Sequence, residues 1–420
     1  MAVGGRDRRV VITGMGAVSP LGNDVDSLWR GCLDSRSGVS QITSFDASHL
    51  PCRIAGEASD FRPTDWLSAK AARRLPRFAQ FAVVAADQAV AAAGLRISDE
   101  DPNRVGVVLG NGSGGTPQLK QHVLSLVNEG WDYCDPLALL KTLSDIAATT
   151  LSARLGTNGY ISTIAASCAS SAIAIGHAAD VIRAGRADVV VAGGTEAWIT
   201  EMGIVSFALL RALSSRNEEP ERASRPFDVD RDGFVPAEGA AILVLEEWEH
   251  ARQRGVVPLA ELKGFGVSSD AGHPIAPRAD GISGSRAISN ALAEASLAPA
   301  DLDYVNAHGT STQLNDSSET RALEASLGEA AGKIPVSATK SMIGHSLGAA
   351  AAIEMVICVK TIQDSAIHPT ANLDSVDPNC QLNHVIGKAE RRVVNNVLNV
   401  SFGFGGQNAC LVVGRPTDDR

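Results

Sequence analysis

Ile288-Ser-Asn-Ala-Leu-Ala-Glu-Ala-Ser-Leu297, an acidic turn, and then Leu302-Asp-Tyr-Val-Asn-Ala-His-Gly309 set the architecture of this chain. An Ala/Leu-rich helical run passes through a turn into an apolar strand that ends in a glycine loop. The same order of parts occurs earlier, in Ala86-Asp-Gln-Ala-Val-Ala-Ala-Ala-Gly-Leu95, an acidic turn and Val105-Gly-Val-Val-Leu-Gly-Asn-Gly112. A second echo pairs Thr13-Gly-Met-Gly-Ala-Val-Ser-Pro20 with Lys263-Gly-Phe-Gly-Val-Ser-Ser-Asp270. The economical explanation is a duplicated unit with its seam near residues 250–260, giving halves 1–255 and 256–420. Chance likeness between two generic αβ units is the alternative.

Around these echoes, strand-like runs at Val10–Thr13, Val105–Leu109, Val189–Ala192, Ala241–Leu245, Leu302–Ala307 and Ala409–Val413 alternate with helical stretches. The helices are expected at Arg77–Ala93, Ala169–Ala184, Ser285–Ala295 and Gly348–Ile362. Such alternation implies βαβ units in a layered α/β protein.

The 420 residues hold 40 glycines, few aromatics and 20% charged residues, the composition of a compact Ala/Gly-packed enzyme. A net charge of −10 argues against general nucleic-acid binding, which needs a basic surface. The seven cysteines are widely spaced without a C-x-x-C pair, which argues for reduced thiols and against a zinc site. The lead-in Met1–Arg9 runs into the first strand with no signal-peptide pattern, and no apolar run is long enough to span a bilayer. A soluble, cytoplasmic protein is therefore expected.

Three residues carry the chemistry. Cys168 stands among small side chains, in Ala165-Ala-Ser-Cys168-Ala-Ser-Ser171, where an apolar strand gives way to a helix. A thiol at the first turn of a helix faces unpaired N–H groups and the positive end of the helix dipole, so the thiolate form is expected to be favoured. The bland reading, a buried small hydrophobe, is kept for the other six cysteines. His308 lies in Asn306-Ala-His-Gly-Thr-Ser-Thr312 directly after a strand, and His345 in Lys340-Ser-Met-Ile-Gly-His-Ser-Leu-Gly just before an Ala-rich helix. An isolated histidine is usually a surface or core residue, but Gly/Ser/Thr loops beside regular elements are where active sites are carried. A cysteine and two imidazoles make an acyl-transfer kit if the fold brings them together. Ser401-Phe-Gly-Phe-Gly-Gly-Gln-Asn408 is expected to be a glycine-rich turn that offers an N–H to an oxyanion and hinges a phenylalanine. Gly14-x-Gly16 begins like a dinucleotide fingerprint, but Ser19 stands in place of the third glycine and nicotinamide binding is rejected.

Together these segments resemble the β-ketoacyl-acyl-carrier-protein synthases, condensing enzymes of the thiolase fold, in particular synthase II and the type II polyketide ketosynthases. Val11-Ile-Thr-Gly-Met-Gly, the Cys168 turn, Val191-Ala-Gly-Gly-Thr-Glu196, Arg211-Ala-Leu-Ser-Ser-Arg-Asn217 and Ser224-Arg-Pro-Phe-Asp228 carry the likeness, with Arg231-Asp-Gly-Phe234 and the histidine and Phe402 loops. The resemblance implies duplicated βαβαβαββ halves in an αβαβα layering. It implies that Cys168 takes an acyl group from carrier-protein phosphopantetheine, and that a malonyl unit then loses CO2 and attacks that thioester.

By the same resemblance His308 and His345 act on the malonyl unit, Lys340 and Glu354 form a pair near them, and the N–H groups of Cys168 and Phe402 make an oxyanion hole. Phe402 is the gating ring, and Phe404 is one of the substrate- and pantetheine-binding residues. Thr310 and Thr312 meet the pantetheine arm, Ser113 lines the acyl pocket, and Asp270 is a structural neighbour of the site. Lys70, Arg73, Arg74 and Arg211 dock the acidic carrier protein, for which a solvated helix face is the bland reading. No cofactor or metal is implied, and the partners are the carrier protein and a second subunit, identical or chain-length-factor-like. Three departures bear on the substrate: Ser113 replaces a bulky aliphatic, segment 136–153 carries Lys141 and Asp145, and Ile275 replaces a threonine. A Cys-His thioester hydrolase and a non-elongating partner subunit are the rival functions. The first normally pairs one His with an orienting Asp or Asn, and the second has lost the cysteine that is present here.

Overall fold

A computed structural model describes residues 8–417; the stretch 1–7 of the lead-in segment and the final residues 418–420 lie outside the description. Eleven strands form one mixed sheet. In chain order they are β1 (Val10–Val18), β2 (Val105–Gly110), β3 (Ile161–Ile164), β4 (Val189–Glu196), β5 (Gly239–Glu247), β6 (Ala260–Ser269), β7 (Tyr304–Asn306), β8 (Pro335–Ser337), β9 (Asn383–His384), β10 (Asn396–Gly403) and β11 (Gln407–Gly414). The spatial order is β9-β8-β7-β10-β11-β6-β1-β5-β4-β2-β3. Outward from the middle, the front half reads first, fifth, fourth, second, third, and the back half repeats that order before adding β9. The seam is thin: β1 meets β6 only through Val11–Glu261 and Ile12–Ala260.

The glycine echo has a packing cause. Helix α1 (Arg77–Ala92) lies so close to β1 that a Cβ at Gly14 or Gly16 would stand 2.2 Å or 2.0 Å from the carbonyl oxygens of Ala89 and Ala85. In the back half, a Cβ at Gly264 or Gly266 would stand 2.1 Å from the carbonyls of Ala291 and Ala287 in helix α3 (Ile282–Ala295). Each half therefore uses a Gly-x-Gly strand to seat an Ala-rich helix, and these glycines serve helix–strand contact rather than a phosphate.

Helix α2 (Ser170–Arg183) and helix α5 (Ala350–Asp364) pack against one another, and each touches strands from both halves. α1 covers the outer face of β1, β5 and β4, while α3 and helix α4 (Gln313–Leu327) cover the other outer side. The result is five layers, helix, sheet, helix, sheet, helix. Strands such as β1 and β5 are buried along their whole length, as expected for sheet covered on both faces. Among the described residues no helix is long and apolar enough to cross a membrane.

Loops at the carboxyl ends of β2, β3, β4, β7, β8 and β10 bring Ser113, Cys168, Glu196, His308, Lys340, His345 and Phe404 into one neighbourhood. The expected turn at Ser401 begins later than its glycines imply. Ser401, Phe402 and Gly403 still belong to β10, paired with Ala409, Asn408 and Gln407 of β11.

Candidate active site

Cys168 sits in a short turn, Ser167–Ala169, that leads into α2. Ser167 adopts φ +50°, a left-handed conformation that a non-glycine residue holds only when its surroundings fix it. The fixing contacts are visible. Ser170 Oγ donates to the Ser167 carbonyl at 2.6 Å and accepts from the Ala166 N–H at 2.8 Å. From the other half, Ser401 Oγ donates to the Cys168 carbonyl at 3.1 Å.

The thiol is only 3% exposed. Burial pushes its pKa up to about 11, against the lowering effects of the Phe404 and Cys168 N–H groups and the Lys340 ammonium. The expectation of a resting thiolate is thereby corrected. Burial opposes the pull of the helix terminus on this thiol, and a base within reach of its proton is needed to offset it.

His345 Nε2 lies 3.0 Å from Cys168 Sγ and is placed to receive that proton. Its backbone is pinned by His345 N–H to Val235 carbonyl at 2.8 Å and Ala237 N–H to His345 carbonyl at 3.0 Å. The His308 ring stands nearly perpendicular to it, at 85° and 5.4 Å between centroids. One atom from each of Cys168, His308 and His345 falls within 4.8 Å of the others. Burial first, and then Lys340, hold both imidazoles well below the usual histidine range. Each is therefore a neutral ring that can give or take one proton.

Lys340 is buried behind His308. Its Nζ donates to the His308 carbonyl at 2.7 Å and to Glu354 Oε1 at 2.5 Å, and lies 3.2 Å from His308 Nδ1. Burial raises the Glu354 carboxyl and Lys340 opposes that rise. The pair is thus inside the site and also braces it.

The two phenylalanines exchange the places expected of them. The N–H that favours the thiolate beside that of Cys168 belongs to Phe404, not Phe402. Phe402 is held in the β10–β11 ladder and packs in the back-half core, with its ring centroid 6.3 Å from that of His308. Phe404 is half-buried in the turn beyond the ladder, stacked on Phe207 at 5.9 Å, and is followed by Gly405 and Gly406 at positive φ. The turn of the Ser-Phe-Gly-Phe motif thus begins at its second ring, Phe404, and not at Phe402.

Of the remaining candidates, Thr310, Thr312, Asp270 and Arg211 line one cavity of about 590 Å³ with Cys168, His308, His345 and both rings. Thr310 and Thr312 hydroxyls are 3.0 Å apart, and Thr312 also caps α4 by accepting from the Asn315 N–H. Asp270 braces the Phe404 turn: its N–H donates to the Gly406 carbonyl, and its carboxylate accepts from Asn408 at 2.8 Å. Lys70, Arg73 and Arg74 lie on the short helix Ala69–Arg74, with no buried residue among them, and do not line this cavity. Ser113 lines a second cavity of about 280 Å³, which Cys168 and Phe404 also border. The thiol therefore stands between two spaces.

Residues 7–251 match the family model "Beta-ketoacyl synthase, N-terminal domain", and residues 259–374 match "Beta-ketoacyl synthase, C-terminal domain". The chain belongs to the β-ketoacyl synthase family. Like other β-ketoacyl synthases it is a condensing acyltransferase. It is 44% identical over 411 residues to the 3-oxoacyl-(acyl-carrier-protein) synthase 2 of Coxiella burnetii, covering 98% of this chain and 99% of that protein. The corresponding synthase 2 of Synechocystis is 43% identical, with 96% and 97% covered. Among solved structures, the ketosynthase of a type II polyketide system, bound to its acyl-carrier protein and a hexaketide, superposes with TM-score 0.91 at 35% identity, covering 97% and 100%. The ishigamide ketosynthase/chain length factor superposes with TM-score 0.91 at 34% identity, covering 98% and 100%.

Two buried carboxylates of this β-ketoacyl synthase escaped the sequence reading. Glu319 accepts from the His308 and Gly309 N–H groups at 2.6 Å and 2.8 Å, fixing the histidine loop. Glu196 accepts from the N–H groups of Gly112, Ser113 and Gly348 and from the Ser113 hydroxyl. Burial raises Glu319 to about 8 and Glu196 to about 7. The signal for Glu196 was present, because a glutamate closing the apolar run from Val189 has no reason to be there unless its carboxylate is bonded.

Proposed function

We propose that this chain extends an acyl group by two carbons, using a malonyl thioester that loses CO2, with both substrates delivered on the phosphopantetheine of an acyl-carrier protein. The observation that carries the reading is the convergence of one thiol and two neutral imidazoles between two cavities. One cavity is open to a pantetheine arm and the other is available for an acyl chain.

In the first half-reaction the Cys168 proton passes to His345 Nε2, and the sulfur attacks the donor carbonyl. Charge on the carbonyl oxygen is met by the N–H groups of Cys168 and Phe404, and one such donor is worth about 3–4 kcal/mol. The donor thiol leaves with a proton, and the acyl chain lies in the smaller cavity beside Ser113. In the second half-reaction the malonyl thioester enters along Thr310 and Thr312. As its C–C bond to the carboxylate breaks, CO2 departs and the electron pair forms an enolate whose oxygen faces the His308 N–H, with the His345 ring beside it. Its carbon then attacks the acyl thioester, the Cys168–acyl bond breaks, the sulfur leaves as a thiolate that takes one proton from solvent to restore the thiol, and the β-ketoacyl product forms. Lys340 holds His308 in place and keeps it neutral. Every step is assigned to side chains and backbone of this chain acting on the substrates' own pantetheine-borne thioesters.

Arg211 at the larger cavity, with Lys70, Arg73 and Arg74, offers positive charge to an acidic carrier protein despite the chain's net negative charge. A second subunit of the same fold, identical or chain-length-factor-like, fits the exposed apolar side chains of Leu119, Val123, Leu126 and Val127 on the helix Thr116–Asn128. The shared strand order and the paired Gly-x-Gly packing support reading 1–255 and 256–420 as copies of one unit.

The reading is tested by supplying an acyl-carrier-protein thioester and isotopically labelled malonyl-carrier protein. A β-keto product two carbons longer, one CO2 released per product, and loss of both in Cys168→Ala are expected. Thioester cleavage with no need of the malonyl unit would establish a hydrolase instead. Binding without transacylation would establish a partner subunit.

A further inference from the structure

We propose that Trp198 is the residue that limits the length of the acyl chain this enzyme accepts, an inference that rests on the reading of the smaller cavity as the acyl site. That cavity is lined by several hydroxyls, of which those of Ser113, Thr116, Thr200 and Ser206 are engaged within the protein. Thr116 Oγ1 donates to the Ser113 carbonyl at 2.5 Å, Ser206 Oγ donates to the Met202 carbonyl at 2.7 Å, and the Ser113 hydroxyl donates to Glu196. Thr200 Oγ1 accepts from the Gly203 N–H at 3.1 Å. With those four groups bonded within the protein, discrimination between apolar guests rests chiefly on shape.

Trp198 carries the bulk of that shape. It borders the cavity with Cys168 and is itself 3% exposed. Its ring is wedged edge-on against Phe207, 5.0 Å away at 67°, and lies 6.2 Å from Phe234. Its backbone and ring approach Gly203 so closely that a Cβ there would stand 2.7 Å from the Trp198 carbonyl oxygen and 3.0 Å from its Cε3. The indole is therefore a fixed wall. Among the described residues its N–H has no hydrogen-bond partner, so packing alone holds the ring, and an apolar replacement leaves no acceptor stranded. Ser113, by contrast, is small and tied to Glu196, and gives little obstruction on its side.

The test is intact-mass measurement of acyl loading on Cys168 for the full chain, with a ladder of straight-chain acyl thioesters of increasing length. Wild type, Trp198→Phe and Trp198→Ala are compared by the ratio of long-chain to short-chain loading rates. Because one methylene in an apolar pocket is worth about 10-fold or more, Trp198→Ala is expected to raise that ratio at least about 10-fold, with Trp198→Phe between it and wild type. A uniform slowing at all lengths, the signature of a merely structural role, overturns the proposal, as does an unchanged ratio. Should the alanine variant fail to fold, the phenylalanine variant, which keeps an aromatic edge against Phe207, decides by the same ratio. No loading of wild type by any thioester would overturn the acyl-transfer reading itself, and this inference with it.

Discussion

Removing Glu354 strands a charge. The Lys340 ammonium is 1% exposed and its only anionic partner within hydrogen-bond reach, among the described residues, is Glu354 Oε1 at 2.5 Å. Breaking a buried pair from one side costs about 3–5 kcal/mol. Because the His308 carbonyl at 2.7 Å and Nδ1 at 3.2 Å still accept from Lys340, Glu354→Leu is placed at the lower end, about 3 kcal/mol. Lys340→Met leaves a carboxyl that burial already pushes up. For an acid whose folded pKa is raised, the penalty is absent at low pH and grows as pH rises from the ordinary carboxylate range toward the raised value. That variant should therefore be near wild type in acid and progressively weaker toward neutrality. Lys340→Met with Glu354→Leu removes both charges and should regain most of the loss, while still lacking the cation behind His308. Urea unfolding across pH, with CO2 release from a malonyl thioester, measures both effects. Single variants that lose less than about 1 kcal/mol at neutral pH would refute the buried-pair argument. A double variant with full decarboxylation would show that the pair only braces the loop.

Glu196→Gln turns an acceptor into a donor amid three N–H groups and a hydroxyl. A loss of at least about 2 kcal/mol is expected, with slower acyl loading as the Ser113 loop loosens; unchanged urea midpoints would contradict this. His250 lies between Glu246 at 2.7 Å and Glu100 at 2.9 Å, and these carboxylates raise its pKa, Glu246 most. Its contribution is fully present below the ordinary histidine value and lost as pH rises through the raised one. Wild type should thus lose more stability than His250→Gln between mildly acidic and alkaline buffers, and parallel profiles would rule this out.

Much of the site is legible in the sequence because its residues sit where strand patterns end. Cys168 and His308 each follow an apolar run that stops at small residues, His345 sits in a Gly/Ser loop just before an Ala-rich helix, and the fold brings the three together. The paired Gly-x-Gly segments are also legible, although their cause, an Ala-rich helix pressed against each strand, needs the packing to be seen. What cannot be read depends on distant partners. Burial of the thiol by both halves raises its pKa and opposes the local effect of the helix terminus, which is all that the sequence shows. Phe402 and Phe404 stand two apart in one Ser-Phe-Gly-Phe-Gly stretch, and only the ladder to β11 separates the buried ring from the one at the turn. Glu319 and Trp198 lie among residues that give no periodic cue, so their tasks emerge only from the N–H groups and rings they meet.

Following the mass of the intact enzyme through one turnover shows whether Cys168 carries the acyl chain and a malonyl unit removes it. Given the acyl donor alone, one acyl group should appear on Cys168 and persist; malonyl thioester should then discharge it in wild type but not in His308→Ala. An acyl group that leaves as free acid before any malonyl unit is added, or one that never reaches Cys168, would contradict the central claim.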